Sequence, residues 1–367
     1  MGYGFIGALG HAPHYRDPRA NVSLRAIADV SAERRALAGR EFPQARLYAT
    51  WQQLLAEERE LDFVDIAVPP VDHAPLAIAA LRRGLHVLCE KPLAWSLAQA
   101  GDMLAAAQTA QRVLFPCHNY KHAPVVRAVQ DTIAGGGLGA IHSLTLSTFR
   151  NTHAKGVPEW NTHWRRDRKI SGGGIAMDHG SHTFYLTFDW LKAYPTAVTA
   201  KIINSQPSRY DTEDNVTAVL TFPNGLAHCH LSWTAGMRKV IYTVQGGGGG
   251  LVVNDDELEV AIQRATGGPE VAQGAVAWEV TRTQVASHWM DASHVAWFGS
   301  LFRQFRRALA TGDYVSSETL ESYRCMELID AIYRSAAAGS REVALAGPPS
   351  GISAAAVSPL APTSSST

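Results

Sequence analysis

No excess of either charge marks this chain: Lys plus Arg and Asp plus Glu each total 33 in 367 residues. That balance excludes an electrostatic draw toward nucleic acid or an anionic membrane surface. No apolar stretch approaches the roughly 18 uninterrupted residues that a membrane-spanning helix needs. Cysteine is scarce. Cys89, Cys117, Cys229 and Cys325 stand far apart and without metal-site spacing, and two lie in apolar strand-like runs where cysteine acts as a small hydrophobe. There is no internal repeat, and no G-x-S-x-G elbow supports a serine hydrolase. The first residues read at once as a strand, which leaves no room for a signal peptide. The expectation is a soluble, reduced, cytoplasmic protein without nucleic-acid or membrane partners.

What the chain has is length enough for two domains with substantial cores. The first third alternates strand and helix signals. Gly4–Ile6, Ser23–Ala28, Leu61–Val68, Leu85–Cys89 and Leu114–Cys117 read as short strands, with helices such as Ala32–Glu41 and Trp51–Glu57 between them. That alternation means βαβ units and a parallel sheet. After a helix at Ala123–Ala134 the period changes to two, over Ile141–Phe149, Ala197–Asn204, Asn215–Phe222, Leu226–Trp233 and Lys239–Gln245. Period two with turns such as Pro223-Asn224-Gly225 predicts an antiparallel sheet. Helices at Ser293–Ala310 and Ser317–Ala338 follow. The expected fold class is therefore a Rossmann α/β domain over residues 1–120, then an α+β domain with a large, mostly antiparallel open sheet over 121–345. A Pro/Ser/Ala-rich tail, 346–367, is expected to be disordered. A sheet with one uncovered face predicts a homodimer or homotetramer.

The most informative residue is Lys91. The run His86-Val87-Leu88-Cys89 is apolar enough for a buried parallel strand, and Pro92 forces the chain out of it. Lys91 is thereby delivered to the carboxyl edge of the sheet, where open α/β folds bind ligands. A literal G-x-G-x-x-G occurs at Gly2–Gly7, but the fingerprint must follow a strand, so the expected register begins at Gly7: Gly7-Ala8-Leu9-Gly10-His11-Ala12. Leu9 then replaces the glycine that lets the backbone approach a pyrophosphate. Asp29 ends the second strand, where a carboxylate bonds ribose hydroxyls and repels a 2′-phosphate, which favours NAD over NADP. Asp29 and Ser31 also compete to cap the next helix.

The densest cluster of chemistry is Trp164-Arg165-Arg166-Asp167, Ser171-Gly172-Gly173-Gly174 and Asp178-His179-Gly180-Ser181-His182. Asp178 and His182 are four apart and share one face of a helix, where carboxylate and imidazole can hold a substrate hydroxyl and take its proton. The triple glycine suits a loop passing close to a ligand. His179 and His182 have a spacing that permits zinc, but no local motif supplies a third ligand, so no metal is expected. His228 and His230 alternate on a strand and face a pocket or solvent.

These pieces, in order over residues 4 to 345, resemble the glucose–fructose oxidoreductase and inositol dehydrogenase family, Gfo/Idh/MocA. The likeness lies in the opening glycine turn, Asp29, Val68-Pro69-Pro70 with His73, and Gly84 through Glu90-Lys91-Pro92. It continues in Trp164-Arg165, Gly172-Gly173-Gly174, Asp178 with His182, Glu213-Asp214, and Gly225 with Ser232-Trp233. The resemblance implies an NAD(P)-dependent oxidoreductase of a secondary hydroxyl on a sugar, sugar derivative or cyclitol. Its implied catalytic set is Lys91, Asp178 and His182, with His182 as base, Lys91 polarising the hydroxyl and Asp178 orienting the substrate. Implied cofactor contacts are Gly7, Ala8, Leu9, Gly10, Asp29, Pro69, His73, Glu90, Lys91 and Arg165. Implied substrate contacts are Lys91, Asn119, Lys121, Trp164, Asp178, His179 and His182. Tyr185 departs from the family, standing where the helix often carries aspartate. Two rivals keep the fold: an NAD-assisted glycosidase or epimerase without net redox change, and a nucleotide- or sugar-binding regulatory protein, which Leu9 supports.

Overall fold

The computed structural model describes residues 2–265, 276–286 and 295–347. The expected tail lies outside them from residue 348 on, as does the start of the helix expected from Ser293.

Short strands and helices alternate through the first third. β1 (Ala26–Ala28), α2 (Ala32–Glu41), β2 (Arg46–Tyr48), α3 (Trp51–Glu57) and β3 (Phe63–Ile66) lead to α4 (His73–Arg82), β4 (His86–Cys89), α5 (Leu97–Ala110) and β5 (Leu114–Pro116). All pairings here are parallel, but they form two sheets, β1–β2 and β3–β4–β5. β4 is central in its sheet and Val87, Leu88 and Cys89 are fully buried, which explains its unbroken apolar run.

The opening differs from the expected strand. Gly2 takes a φ of +90°, a conformation that glycine adopts without strain. The turn Gly2-Tyr3-Gly4 then leads straight into helix at Phe5 and Ile6, continuing as α1 (a π-type turn over Gly7–His11, then Ala12–Arg16). Gly4–Ile6 is thus turn and helix start.

α6 (Pro124–Ala134) leads into β6 (Ile141–Phe149). The short α7 (Arg168–Ser171) and α8 (Ser181–Leu191) precede β7 (Ala197–Ile203), β8 (Asn215–Phe222), β9 (Gly225–Ser232), β10 (Lys239–Gly246), β11 (Gly249–Asn254), β12 (Glu257–Ala265) and β13 (Val276–Gln284). With β14 (Val343–Ala344) these make a nine-stranded sheet in the order β13-β12-β11-β10-β6-β9-β8-β7-β14, antiparallel except for the β6–β9 pair. Two helices lie between β13 and β14. α10 (Ser317–Ala337) packs on β7 and α8. α9 (Val295–Thr311) instead returns to the first third, where Phe298, Phe302 and Phe305 bury themselves with Leu88, Phe115 and the ring of Phe63. Burying each such ring contributes roughly 1.5–3 kcal/mol. No described helix is long and apolar enough to cross a membrane.

Candidate active site

Lys91 stands two residues past β4, at the carboxyl edge where the sequence places it. Its amine donates to the Asp178 carbonyl at 3.0 Å and to Asp178 Oδ1 at 3.1 Å. Arg165 Nε donates to the same carboxylate oxygen at 3.2 Å, and its guanidinium stacks 4.2 Å from the Trp164 ring. Burial works against ionisation of Asp178, but Lys91 and Arg165 outweigh it and hold the carboxyl well below the usual range. Asp178 is an anion between two cations at neutral pH.

The helix carrying Asp178 starts with one π-type turn, Ala176–Gly180, before α8. Asp178 lies in that π-type turn and His182 in the first turn of the α-helix that continues it. The turn is anchored by Glu213, whose carboxylate accepts from Gly174 N–H at 2.9 Å, Ala176 N–H at 3.0 Å and the Tyr333 hydroxyl at 2.9 Å. A Cβ on Gly173 would lie 1.9 Å from the Tyr333 oxygen, and one on Gly174 1.8 Å from the Glu213 carbonyl oxygen. Gly173 and Gly174 therefore serve close packing against Tyr333 and Glu213.

His182 is buried, its ring stacked on Tyr120 with centroids 3.8 Å apart, and its Nδ1 lies 2.9 Å from the Tyr185 hydroxyl. Tyr185 also accepts from the Tyr120 N–H at 3.1 Å. Assigning the imidazole hydrogen to Nδ1, donating to Tyr185, leaves Nε2 as the basic nitrogen. Burial pushes the Tyr185 hydroxyl well above its ordinary value, so it stays neutral. The departure from aspartate at this position thus supplies the group that orients His182. His179 is half-buried, and desolvation takes its imidazole down to about 3 and keeps it neutral beside Asp178.

Two pocket assignments diverge. Asn119 follows β5 with a buried side-chain oxygen that has no hydrogen-bond partner among the described residues, and it stays a candidate ligand contact. Lys121 is buried against Glu321, 200 residues away in sequence, and belongs to an ion pair behind Tyr185. Its charge is matched inside the protein by Glu321.

Beside Lys91 lies a cavity of about 350 Å³. Gly2, Gly4, Asp29, Pro69 and Glu90 line one side, and Trp160, Trp164 and Arg165, from the segment after β6, line the other. An ion pair from Arg34 to Glu159, 3.6 Å, ties that segment to α2. The glycine register is corrected here. Gly7, Ala8 and Gly10 are buried inside α1, and Leu9 is 52% exposed on its outer side. A Cβ on Gly7 would sit 2.1 Å from the Gly2 carbonyl oxygen, so Gly7 is the glycine of close helix packing. Gly2 and Gly4 form the turn, and a side chain on Gly4 would meet no protein atom within 4 Å. The literal G-x-G-x-x-G is the structural one, and Leu9 has no place in it. Asp29 accepts from Tyr3 N–H at 2.7 Å and Ser31 N–H at 2.9 Å, while Ser31 caps α2. His73 is set back from the cavity, its ring bridging the Val68 and Pro92 carbonyls at 2.8 and 2.9 Å. It braces the loop before α4 against the turn after Lys91.

One network escaped the sequence altogether. His11 Nδ1 lies 2.8 Å from Asp65, and its Nε2 3.1 Å from Glu90, whose other oxygen accepts from the Lys91 N–H. Burial disfavours the imidazolium, but Asp65 and Glu90 overcome it and raise His11 from 6.5 to about 9. A pKa raised on folding stabilises fully below about pH 6.5, and the contribution is lost as pH rises through about 9. The shift is worth about 3 kcal/mol. Between pH 6.5 and 9.5 the melting temperature of the native chain is expected to fall, whereas that of His11→Gln, lower at pH 6.5, falls much less. Parallel curves in the two melting series would show that His11 is not the titrating group.

A strand-edge lysine bonded to a half-buried aspartate of a second, sheet-based unit, beside a glycine-turn cavity, defines a two-domain oxidoreductase. The family model described as "Oxidoreductase family, NAD-binding Rossmann fold" matches residues 1–118, and that of the "GFO/IDH/MocA C-terminal domain" matches residues 126–252. The chain belongs to the Gfo/Idh/MocA family. It is 30% identical to 1,5-anhydro-D-fructose reductase of Ensifer adhaerens over 61% of its own length and 66% of the relative's. With levoglucosan dehydrogenase of Pseudarthrobacter phenanthrenivorans it shares 26% identity over 92% and 95% of the two chains. A solved structure of levoglucosan dehydrogenase in complex with NADH has the same fold, with a TM-score of 0.78 and 24% identity over 94% of this chain and 98% of that one.

Proposed function

We propose that the chain is an NAD-dependent dehydrogenase or reductase acting on a secondary hydroxyl, or the matching ketone, of a sugar, sugar derivative or cyclitol. The observation that carries this reading is the junction of Lys91, Arg165 and Asp178 beside the glycine-turn cavity. The residues there fit a dinucleotide. Gly4 leaves room for a pyrophosphate at the start of α1, and the Asp29 carboxylate stands where ribose hydroxyls would bond. When bound, nicotinamide accepts the hydride that leaves the carbinol carbon. His182 Nε2 takes the hydroxyl proton, and the Lys91 ammonium donates to the same oxygen as it becomes a carbonyl. Asp178 fixes Lys91 in position, and Arg165 shares the charge of Asp178. Both relatives above are named as a reductase or a dehydrogenase, which favours net redox chemistry over the glycosidase, epimerase and regulatory alternatives.

The test is reduction of NAD⁺ and NADP⁺ with a panel of sugars, anhydrosugars and cyclitols. Formation of reduced cofactor with at least one of them is expected, and silence across the panel sinks the reading for those substrates. Asp29 favours NAD, because a 2′-phosphate beside it would be repelled. Asp29→Ser is expected to lower kcat/KM for NAD⁺ by about tenfold, the loss of one charged hydrogen bond, while NADP⁺ gains. An unchanged ratio between the cofactors would remove Asp29 from the specificity argument.

We further assign residues 1–120 to the cofactor domain and 121–345 to substrate binding and assembly, with α9 lying across the former. Homodimer or homotetramer formation through the large sheet is supported by its exposed Val219, Leu226, Trp278 and Val280. A reducing, cytoplasmic setting is supported by four buried cysteines that are all free.

A further inference from the structure

Two arginines meet at the end of the β6–β10 strand pair. Arg150 follows directly on Phe149, the last residue of β6, and alternation places it on the buried face of Leu144, Leu146 and Thr148. In the β6–β10 register Lys239 stands opposite Phe149. The next step sets Arg238 opposite Arg150, on the face of the buried Val240 and Tyr242. α8 covers that face, with its Trp190 ring edge-on to Tyr242 at 5.7 Å. Like charges directly opposite one another on one face destabilise a sheet. Packing alone gives no reason for this pair.

Arg150 is 7% exposed and fixed by its own backbone, whose N–H donates to Ser232 O at 2.8 Å and whose carbonyl accepts from Ala235 N–H at 3.1 Å. Among the described residues its side chain makes one hydrogen bond, from Nη1 to the Phe149 carbonyl at 2.8 Å, and no ion pair. Neither Nε nor Nη2 is closed off from solvent, so that fork of the guanidinium opens on accessible space. Nearby acids are engaged elsewhere: Asp178 by Lys91 and Arg165, Asp214 by Arg166, and Asp255 by Lys239. The open fork lies at the reacting centre. Desolvation leads the fall of the His179 pKa, but among the cations acting on that ring Arg150 stands ahead of Lys91 and Arg165. Burial lowers the Arg238 guanidinium, Arg150 lowers it further, and Tyr120, the ring stacked on His182, acts against both. Arg150 takes no part in lining the cofactor cavity.

We propose that Arg150 binds a carboxylate on the substrate, so that the sugar or cyclitol oxidised here is an acid, such as a uronic acid. A buried cation without a counter-charge is destabilising, and a bound anion removes that burden. The Nε and Nη2 hydrogens form a planar fork that two carboxylate oxygens match. A phosphate dianion would bring a second charge into the same buried space, at a greater loss of hydration. The inference rests on the redox reading and narrows its substrate class. The hydroxyl that reacts stays with Lys91 and His182, while Arg150 holds the acidic group of the same molecule.

The test assays the native chain with NAD⁺ on two matched pairs, D-glucose with D-glucuronate and D-galactose with D-galacturonate, and on D-glucose 6-phosphate. At least one uronate is expected to exceed its neutral parent about thirtyfold in kcat/KM, the worth of charge-assisted hydrogen bonds. Arg150→Gln is expected to bring that ratio below about threefold, chiefly by raising KM for the uronate. Arg150→Lys should keep part of the preference, because the charge stays and the fork goes. Calorimetric titration of the same compounds into each form, with NADH present, reads binding without turnover. Equal kcat/KM and equal binding within both pairs overturn the proposal, and so does an Arg150→Gln ratio as large as the native one. Preference for the phosphate over both uronates overturns the carboxylate assignment. If no compound is turned over, the redox reading fails for those substrates, and the binding ratio still decides this inference.

Discussion

Replacing His182 by alanine is expected to lower kcat by about a thousandfold while NAD binding changes by less than about twofold. A positioned general base contributes about 10²–10⁴ in rate, and His182 has the surroundings of one: a buried ring clamped by Tyr120 and bonded at Nδ1 to Tyr185. Removing the imidazole leaves the cofactor cavity untouched, since His182 does not line it. The truncation also opens space beneath Tyr120, so Tyr185→Phe is the control that keeps the core filled. It retains the imidazole but removes the oxygen that orients it, and should cost about tenfold in kcat with an altered pH profile. Steady-state kinetics with calorimetric NAD titration separates the two effects. A His182→Ala enzyme that turns over as fast as the native one would transfer the base to another group.

Lys91→Met is expected to reduce kcat/KM for the sugar by about 10³, in the range seen when a donor to the reacting oxygen is removed. Methionine keeps most of the length and the apolar stem, so the packing of the turn survives. What is lost is the ammonium that donates to both the carbonyl and the carboxylate of Asp178. The half-buried carboxylate is then left to Arg165 alone, and its pKa should rise toward the ordinary value, seen as a new acidic limb in the pH–rate profile. Lys91→Arg should not rescue turnover, because a planar fork cannot replace a compact ammonium at this junction. Near-native rates in Lys91→Met would exclude the lysine from the reacting centre.

Much of the fold was legible because its signals are local. Asn215–Phe222 and Ile141–Phe149 alternate cleanly and occupy the ranges that their period predicts. The apolar run before Lys91 identifies a strand covered on both faces. The hairpin strands Gly249–Asn254 and Glu257–Ala265 were missed because glycines and half-buried glutamates blur their alternation. In the site, Lys91 and Asp178 were legible as residue types in telling places, and Arg165 as their neighbour. The glycine register was misplaced for a specific reason: the rule demands a strand before the turn, and Gly2 has none within the described residues. The partner of Lys121 was invisible because Glu321, which neutralises it, lies 200 residues away. The His11–Asp65–Glu90 network has the same cause, with partners 54 and 79 residues from the histidine. Side chains that meet only through the fold leave no pattern along the chain.

The return of α9 sets a limit on how this protein can be taken apart. Phe298, Phe302 and Phe305 are core residues of the nucleotide-binding third, although some 180 residues of intervening chain lie outside it. A fragment ending near residue 120 would expose the aromatic floor on which they rest, and one beginning there would carry a greasy helix with nothing to cover. Swapping cofactor modules between relatives by a single cut would therefore fail for reasons of solubility before any question of catalysis arose. A graft would have to carry the distant helix with it, so in evolution and in engineering the two ends of the chain are inherited as a pair.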